Sequence, residues 1–410
     1  MTKDMTASLQ NRRVVFINHT PPDSGDVSSL RMARFAETFV ARGAAVLLLT
    51  GSGASAGLSY LEAEQRLREH EPGKLTYIPC RMGAPGLAAK ARTGEFPTPL
   101  RQAVIGWHYA LGGGVFPDWR DGAGKYLTVI AEVFSPDVVI GTFGNTDTWQ
   151  IAQTLARLSN APWIADLKDN WRAFLPTGFA NSIAGRFDDM AHMTVYSEAH
   201  LNEANRWFNG EKTVVYSGFD HLSASNSDVS VKAGSVSLIG SIYDGEGATV
   251  LLQGLAAWHA SRNQDVTLCY AGHDGERIAT LATVHAPEIG LEILGNLPPV
   301  ELSNLLQRSM ANAYTVNPAS LFQQKPLELL AIGRPVIAVP GEGPETHELA
   351  RKIGGKLVDA STATDLAAKL SEIEAGSAPA IDEGSLNAYT WGRQADILSD
   401  VIETVLKRSA

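Results

Sequence analysis

The sequence predicts an α/β chain of two domains, each built on a parallel sheet covered by helices. Three observations carry this expectation. The chain has 410 residues, more than one compact domain of roughly 100–200 residues usually holds. Short β-branched and aliphatic runs alternate with longer amphipathic stretches from end to end, which is the pattern of βαβ units. A polar stretch, SGFDHLSASNSDVSVKAG, separates two such series and reads as an interdomain linker.

In the first series, strands are expected at 13–18, 45–50, 75–79, 137–141, 163–166, 193–196 and 213–216. The clearest helix spans 27–42. It follows Asp26 as N-cap, carries Leu30, Ala33 and Phe39 toward one side, and stops at Gly43, a residue that tolerates the left-handed cap. Residues 83–125 interrupt this series with Gly, Pro and basic side chains and read as a surface or functional loop. The second series places strands at 236–239, 265–271, 291–294, 313–316, 335–339 and 356–358, and a last helix over 386–406.

Composition bounds the function. With 44% hydrophobic and 19% charged residues, the chain is globular rather than disordered. Thirty-four Lys plus Arg against 44 Asp plus Glu, a net charge of −10, disfavours a general binder of nucleic acid or anionic membrane. Cys80 and Cys269 lie far apart without a CxxC pair and read as buried free thiols. The N-terminal MTKDMTASLQNRR is polar, and the apolar runs are strand-sized; a soluble, cytoplasmic protein is therefore expected.

Several motifs fail on their context. Gly53 to Gly57 matches GxSxG, but a nucleophile elbow sits on the immediate turn after a central strand, and Ser55 lies five residues beyond Thr50. Gly51, Gly53 and Gly57 imitate a dinucleotide fingerprint after the second strand rather than the first. The ten histidines form no HExxH or HxxxH pair, and there is no Asp-x-Asp. No metal site and no resident cofactor are expected.

The informative stretch runs from Asn317 to Val336. It reads as a loop opening a helix near Gln324, a stop at Gly333, and a strand. A loop feeding a helix start offers unpaired N–H groups to a phosphate. Lys325 adds a point charge, Pro326 suits a first turn, and Glu328 is spaced to accept from a vicinal diol such as ribose. Plain structural roles compete with these: Lys325 as a solvated charge, Glu328 as its i,i+3 ion-pair partner, and Asp169 with Trp171 as a capped loop and a core aromatic.

KPLELLAIGRPVIA resembles the K-l-x-E-y-l-a-x-G-r-P-V-i segment of family 4 glycosyltransferases. VVFINHTPPDSGDVSSLRMARFAETFVARGAAVLLLT resembles their first strand, acceptor-side loop and first helix. DVVIGTFGNTDTWQIAQTLARLSNAPWIADLKDNW, HMTVYSEAHLNEA with KTVVYSGFD, VSLIGSIYDGEGATVLLQGL and AYTWGRQADILSDVI follow in the family's order. The resemblance implies the GT-B fold, two Rossmann-like domains whose parallel sheets face a central cleft. It also implies an acceptor-binding domain at 1–222, a nucleotide-sugar domain at 223–385, and a helix at 386–410 crossing back to the first. Glu328 would hold the ribose. Lys325 with the backbone at Leu321 and Phe322 would hold the diphosphate, and Gly240 with Ser241 its other side. Asp23, Ser24 and Gly25 would meet the acceptor, and Lys325 and Asp169 would serve catalysis. The reaction would be metal-independent and retaining, from a nucleotide diphosphate sugar to a hydroxyl of a small soluble molecule. A peripheral membrane contact through Arg81, Lys90, Arg92 and Arg101 with Leu87 and Phe96 is the less favoured arrangement, and oligomeric state stays open.

The sequence departs from that pattern in three places. Ser320 stands where the family's first glutamate contacts donor-sugar hydroxyls, which suggests an altered or deoxygenated sugar. The donor-loop Arg and Lys are missing from GSIYDGEG, which offers Ser241 and Glu246. Thr142 and Phe143 occupy the region of a common histidine. Two alternatives keep the fold: a relative with changed chemistry, such as a nucleotide-sugar epimerase or a non-glycosidic coupling enzyme, and a catalytically silent partner protein.

Overall fold

The computed structural model describes residues 9–24, 27–53, 55–71, 73–220, 230–243, 245–262 and 264–409. The chain divides into two compact units, Met1–Gly218 with Trp391–Ala410, and Phe219–Thr390. Most of the expected linker, residues 221–229, lies outside the described residues, as do Gly25 and Asp26. Lys232, Ala233 and Gly234 from the end of that stretch already belong to a strand.

Unit 1 holds a parallel sheet of β1 (Arg13–Asn18), β2 (Ala45–Gly51), β3 (Leu75–Cys80), β4 (Val138–Thr142), β5 (Trp163–Leu167), β6 (His192–Val195) and β7 (Lys212–Val214), in the order β3-β2-β1-β4-β5-β6-β7. Its central strands are continuous apolar runs because both faces are covered. Val15 and Ile17 face a core containing Trp119, Trp149, Trp163 and Trp171, while Val14 and Phe16 face Phe35, Phe39, Trp391, Leu398 and Ile402.

The structure corrects three expectations in this unit. In the helix Val27–Ala41 the buried stripe is Ser28, Arg31, Met32, Phe35, Ala36 and Phe39, and Leu30 is exposed. A buried arginine shifts the stripe from where apolarity alone puts it. Residues 83–125 are mostly helical: Leu87–Arg92, Thr98–Gly112 and the start of Pro117–Val129. Their prolines open helices and Gly113, at φ +73°, closes one, so these residues punctuate helices instead of breaking them. Leu100, Trp107 and Leu111 of Thr98–Gly112 point outward, so no buried periodicity marks it. Arg92 is turned inward, 2.8 Å from Asp118 and 4.0 Å from the centre of the Phe116 ring. The single helix expected over 386–406 is two, Glu383–Asn387 in unit 2 and Trp391–Ser409 in unit 1.

Unit 2 holds β8 (Lys232–Ile239), β9 (Thr267–Ala271), β10 (Gly290–Gly295), β11 (Ser309–Thr315), β12 (Val336–Val339) and β13 (Leu357–Asp359), all parallel, in the order β10-β9-β8-β11-β12-β13. Val236, Leu238, Leu268, Tyr270, Ala311, Ala313, Ile337 and Val339 pack against Gly245–Ser261 and Ala363–Ala375. Both cysteines are buried free thiols. Ser55 donates to Ser52 O at 2.7 Å, closing a turn rather than presenting a nucleophile. Among the described residues no helix is long and apolar enough to cross a membrane.

Candidate functional site

In an open parallel sheet, ligand groups gather at the carboxyl ends of the strands. In unit 2, β8 and β11 are the two central strands, and their following loops hold most of the expected donor residues. Gly240 ends β8 at φ +80°, and a β-carbon there would collide with Lys325 Nζ. Only glycine combines that backbone with that close approach. The loop is tied on both sides. Tyr270 Oη donates to Gly240 O at 2.8 Å, Ile242 N donates to Asp274 Oδ2 at 2.8 Å, and Thr315 Oγ1 donates to Ser241 O at 3.0 Å. Ser241 keeps its own N–H and hydroxyl without a partner among the described residues.

Lys325 opens the helix Lys325–Ala331. Its Nζ donates to Ile239 O at a long 3.3 Å and lies 5.6 Å and 6.0 Å from the ring centres of Tyr243 and Tyr314. Burial brings its pKa down to about 8, with Glu328 opposing. Glu328 makes no ion pair with Lys325 among the described residues. Instead its Oε1 accepts from Gln324 Nε2 at 2.7 Å, and its other oxygen has no partner among the described residues. Burial raises the Glu328 carboxyl above its ordinary value; Lys325 and Gln324 oppose this and Asp220 reinforces it.

The loop before Lys325 is held by short-range bonds. Ser320 N donates to Asn317 O at 3.1 Å, and Ser320 Oγ donates to Phe322 O at 2.7 Å. The Ser320 hydroxyl is thus engaged inside the loop, while Phe322 is buried beneath it. Glu342, which the sequence did not single out, fixes this loop from the side of β12. Its carboxylate accepts from Tyr314 Oη at 2.8 Å, Gln323 Nε2 at 3.4 Å and Thr346 Oγ1 at 3.1 Å. Beyond β9 and β10 lies an open cavity of about 800 Å³ lined by Gly272, Asp274, Arg277, Gly295 and Asn296 among others.

Unit 1 carries a different cluster at its strand ends. Arg31 grips Asp166 in a two-pronged pair, Nε to Oδ2 at 3.0 Å and Nη2 to Oδ1 at 2.8 Å. Thr142 and Thr194 donate to the same carboxylate at 3.1 Å and 2.8 Å. Burial pushes Asp166 up, and Arg31 with the two threonines more than offsets it, holding the carboxyl below its ordinary value. His200 is kept neutral, with its pKa pulled down to about 3 by burial and by nearby Lys168 and Arg31. Asp169 accepts from Lys168 Nζ at 2.5 Å, and burial raises its carboxyl against that pairing. Trp171 is a core aromatic, stacked on Trp149 with ring centres 5.6 Å apart. Asp23 and Ser24 sit in the exposed turn Pro22–Ser24; Gly25 lies outside the described residues. Among the described residues no cluster of three His, Cys, Asp or Glu side chains is placed to hold a metal ion.

Comparison with known proteins adds two findings. Residues 234–375, within unit 2, match the family described as glycosyl transferases group 1. Solved structures match both units together. The sucrose-phosphate synthase of Thermosynechococcus elongatus is 14% identical with a TM-score of 0.59, covering 97% of each chain. Anabaena HepE in complex with UDP and glucose is 14% identical at 0.58, covering 97% of this chain and 98% of that one. A glycosyltransferase from Rickettsia africae is 12% identical at 0.64, covering 97% and 99%. The fold is GT-B. No curated protein matches the chain significantly.

Within this GT-B fold, Gly240, Ser241, Lys325 and Glu328 are grouped around the ends of β8 and β11 in unit 2, with Ser320, Leu321 and Phe322 in the adjoining loop. Asp23, Ser24 and Asp169 belong to unit 1. Sequence reasoning assigned no site role to Arg31, Asp166, Glu342 or Arg277. A charge at Arg31, inside the helical stripe of Met32, Phe35 and Phe39, was the one signal available for the first.

Proposed function

We propose that this chain is a glycosyltransferase that moves a sugar from a nucleoside diphosphate to a hydroxyl of a small soluble acceptor. The observation that carries the reading is the state of Lys325 and Glu328. Each is half-buried at the end of the sheet, and among the described residues each keeps an unpaired polar face. An ammonium in that state suits a phosphate, and a carboxylate oxygen in that state suits the paired hydroxyls of ribose. The match of residues 234–375 and the UDP-containing neighbour support the same assignment.

In this reading Glu328 accepts from the ribose. Lys325, the Ser241 N–H and hydroxyl, and the backbone around Leu321 and Phe322 bind the diphosphate, beside Gly240. As the bond from the anomeric carbon to the phosphate oxygen breaks, negative charge grows on that oxygen, and Lys325 stabilises it through a fixed electrostatic contact. The acceptor hydroxyl attacks on the same face and its proton passes to the departing phosphate, so configuration is retained without a metal ion. Asp23, Ser24 and Gly25 orient the acceptor, Asp169 assists from unit 1, and Ser320 marks the donor-sugar side. The protein acts in the cytoplasm.

Thermal shift with UDP, dTDP, GDP and ADP tests the site: one of them raises the melting temperature, and Glu328→Ala abolishes the rise. No rise with any of the four sinks the proposal. A panel of glucose, N-acetylglucosamine and deoxysugar nucleotides then identifies the sugar.

A further inference from the structure

The loop from Gly240 to Glu246 contains no lysine or arginine, and a diphosphate bound there would meet Lys325 on one side only. A cation reaches the other side from a neighbouring element. Arg277 stands in the first turn of the helix Gly275–His285, which follows β9, the strand beside β8. Its Nη1 donates to Ile242 O at 2.6 Å. Its Nη2 lies 3.2 Å from the position a β-carbon on Gly245 would occupy, so the absence of a side chain at 245 leaves that end of the guanidinium uncovered. The same side chain lines the cavity of about 800 Å³ beyond β9 and β10.

A guanidinium carries five N–H donors, and the bond to Ile242 O uses one. Arg277 has no carboxylate partner among the described residues. The neighbouring Asp274 is committed elsewhere: Oδ2 accepts from Ile242 N at 2.8 Å and lies 3.6 Å from His273 Nε2. In a chain of net charge −10, an arginine held in place by a backbone carbonyl and with no acid partner among the described residues is available to an outside anion.

We propose that Arg277 is the second cation of the nucleoside diphosphate site, contacting a phosphate from the β9 side of the loop while Lys325 contacts it from the β11 side. This rests on the reading of unit 2 as the donor site. The planar fork of a guanidinium matches two phosphate oxygens at once. Together the two residues supply the positive charge that GSIYDGEG itself lacks.

The test is calorimetry on the whole chain with UDP, dTDP, GDP and ADP, comparing wild type, Arg277→Gln and Arg277→Lys. Glutamine keeps an amide donor for Ile242 O and removes the charge. The expected result is at least a tenfold loss of affinity for the diphosphate in Arg277→Gln, partial recovery in Arg277→Lys, and an unchanged melting temperature without ligand. Wild-type affinity in Arg277→Gln overturns the proposal. A lowered ligand-free melting temperature with Arg277→Lys as weak as Arg277→Gln also overturns it, because that pattern belongs to a loop latch. If wild type binds none of the four, the donor-site reading falls as a whole, which is a separate outcome from a silent Arg277.

Discussion

Two charge clusters sit at the ends of the two sheets, one buried and one half-buried, and they are built on opposite plans. In unit 1, Arg31 and Asp166 satisfy one another in a two-pronged contact, and Thr142 and Thr194 complete the carboxylate. In unit 2, Lys325 and Glu328 sit three residues apart without pairing, each with a single side-chain hydrogen bond among the described residues and free capacity. Burying a charge costs free energy in both places. Unit 1 recovers it within the fold; the half-buried pair of unit 2 keeps hydrogen-bonding capacity unused. A buried charge by itself therefore does not mark a functional site; what sets the unit 2 pair apart is its open valence.

The comparison breaks most visibly in unit 1. Arg31→Ala leaves Asp166 buried without its cation and lowers the unfolding free energy by about 3–5 kcal/mol, read by urea denaturation. Lys325→Met, by contrast, leaves stability within about 1 kcal/mol. Equal losses in the two variants would erase the distinction.

Glu328→Ala reverses the pattern, weakening nucleoside diphosphate binding by about ten- to a hundredfold, the worth of hydrogen bonds to a charged acceptor, while stability holds. Titration calorimetry beside denaturation reads both.

The pH profile gives a finer test. Lys325 titrates at about 8, below its ordinary value, so its ammonium is present below that pH and lost above it. Affinity for the diphosphate is then steady from neutrality toward pH 8 and falls beyond it, approaching tenfold per unit. Lys325→Arg keeps its charge throughout and flattens the profile. A profile for wild type that stays flat to pH 10 removes Lys325 from the phosphate.

Ser320→Ala is the smallest expected effect. Because that hydroxyl bonds Phe322 O within its own loop, its loss costs about 1 kcal/mol of stability and changes nucleotide affinity less than about threefold. A larger change in affinity would return Ser320 to the ligand.

The strands were legible because buried parallel strands are short apolar runs with clear ends, and β1, β4 and β11 begin and end within a few residues of expectation. The helices Leu87–Arg92 and Thr98–Gly112 were not, since their apolar side chains largely face outward and their glycines and prolines look like a loop. Lys325 and Glu328 could be singled out because their spacing is local, one turn of a single helix. Arg31 with Asp166, separated by 135 residues, and Arg277 with the loop at Ile242, separated by 35, are brought together only by strand order. A single sequence holds no trace of such pairings.

The division of the chain between the units decides when each can be finished. Unit 2 is one continuous stretch, Phe219–Thr390, but unit 1 takes its last layer from Trp391–Ser409. During synthesis the face of β1 that carries Val14 and Phe16 waits, without Trp391, Leu398 and Ile402 against it, while the whole of unit 2 emerges and becomes able to fold. The half that begins the chain is thus the half completed last, reversing the usual order of domain folding on the ribosome.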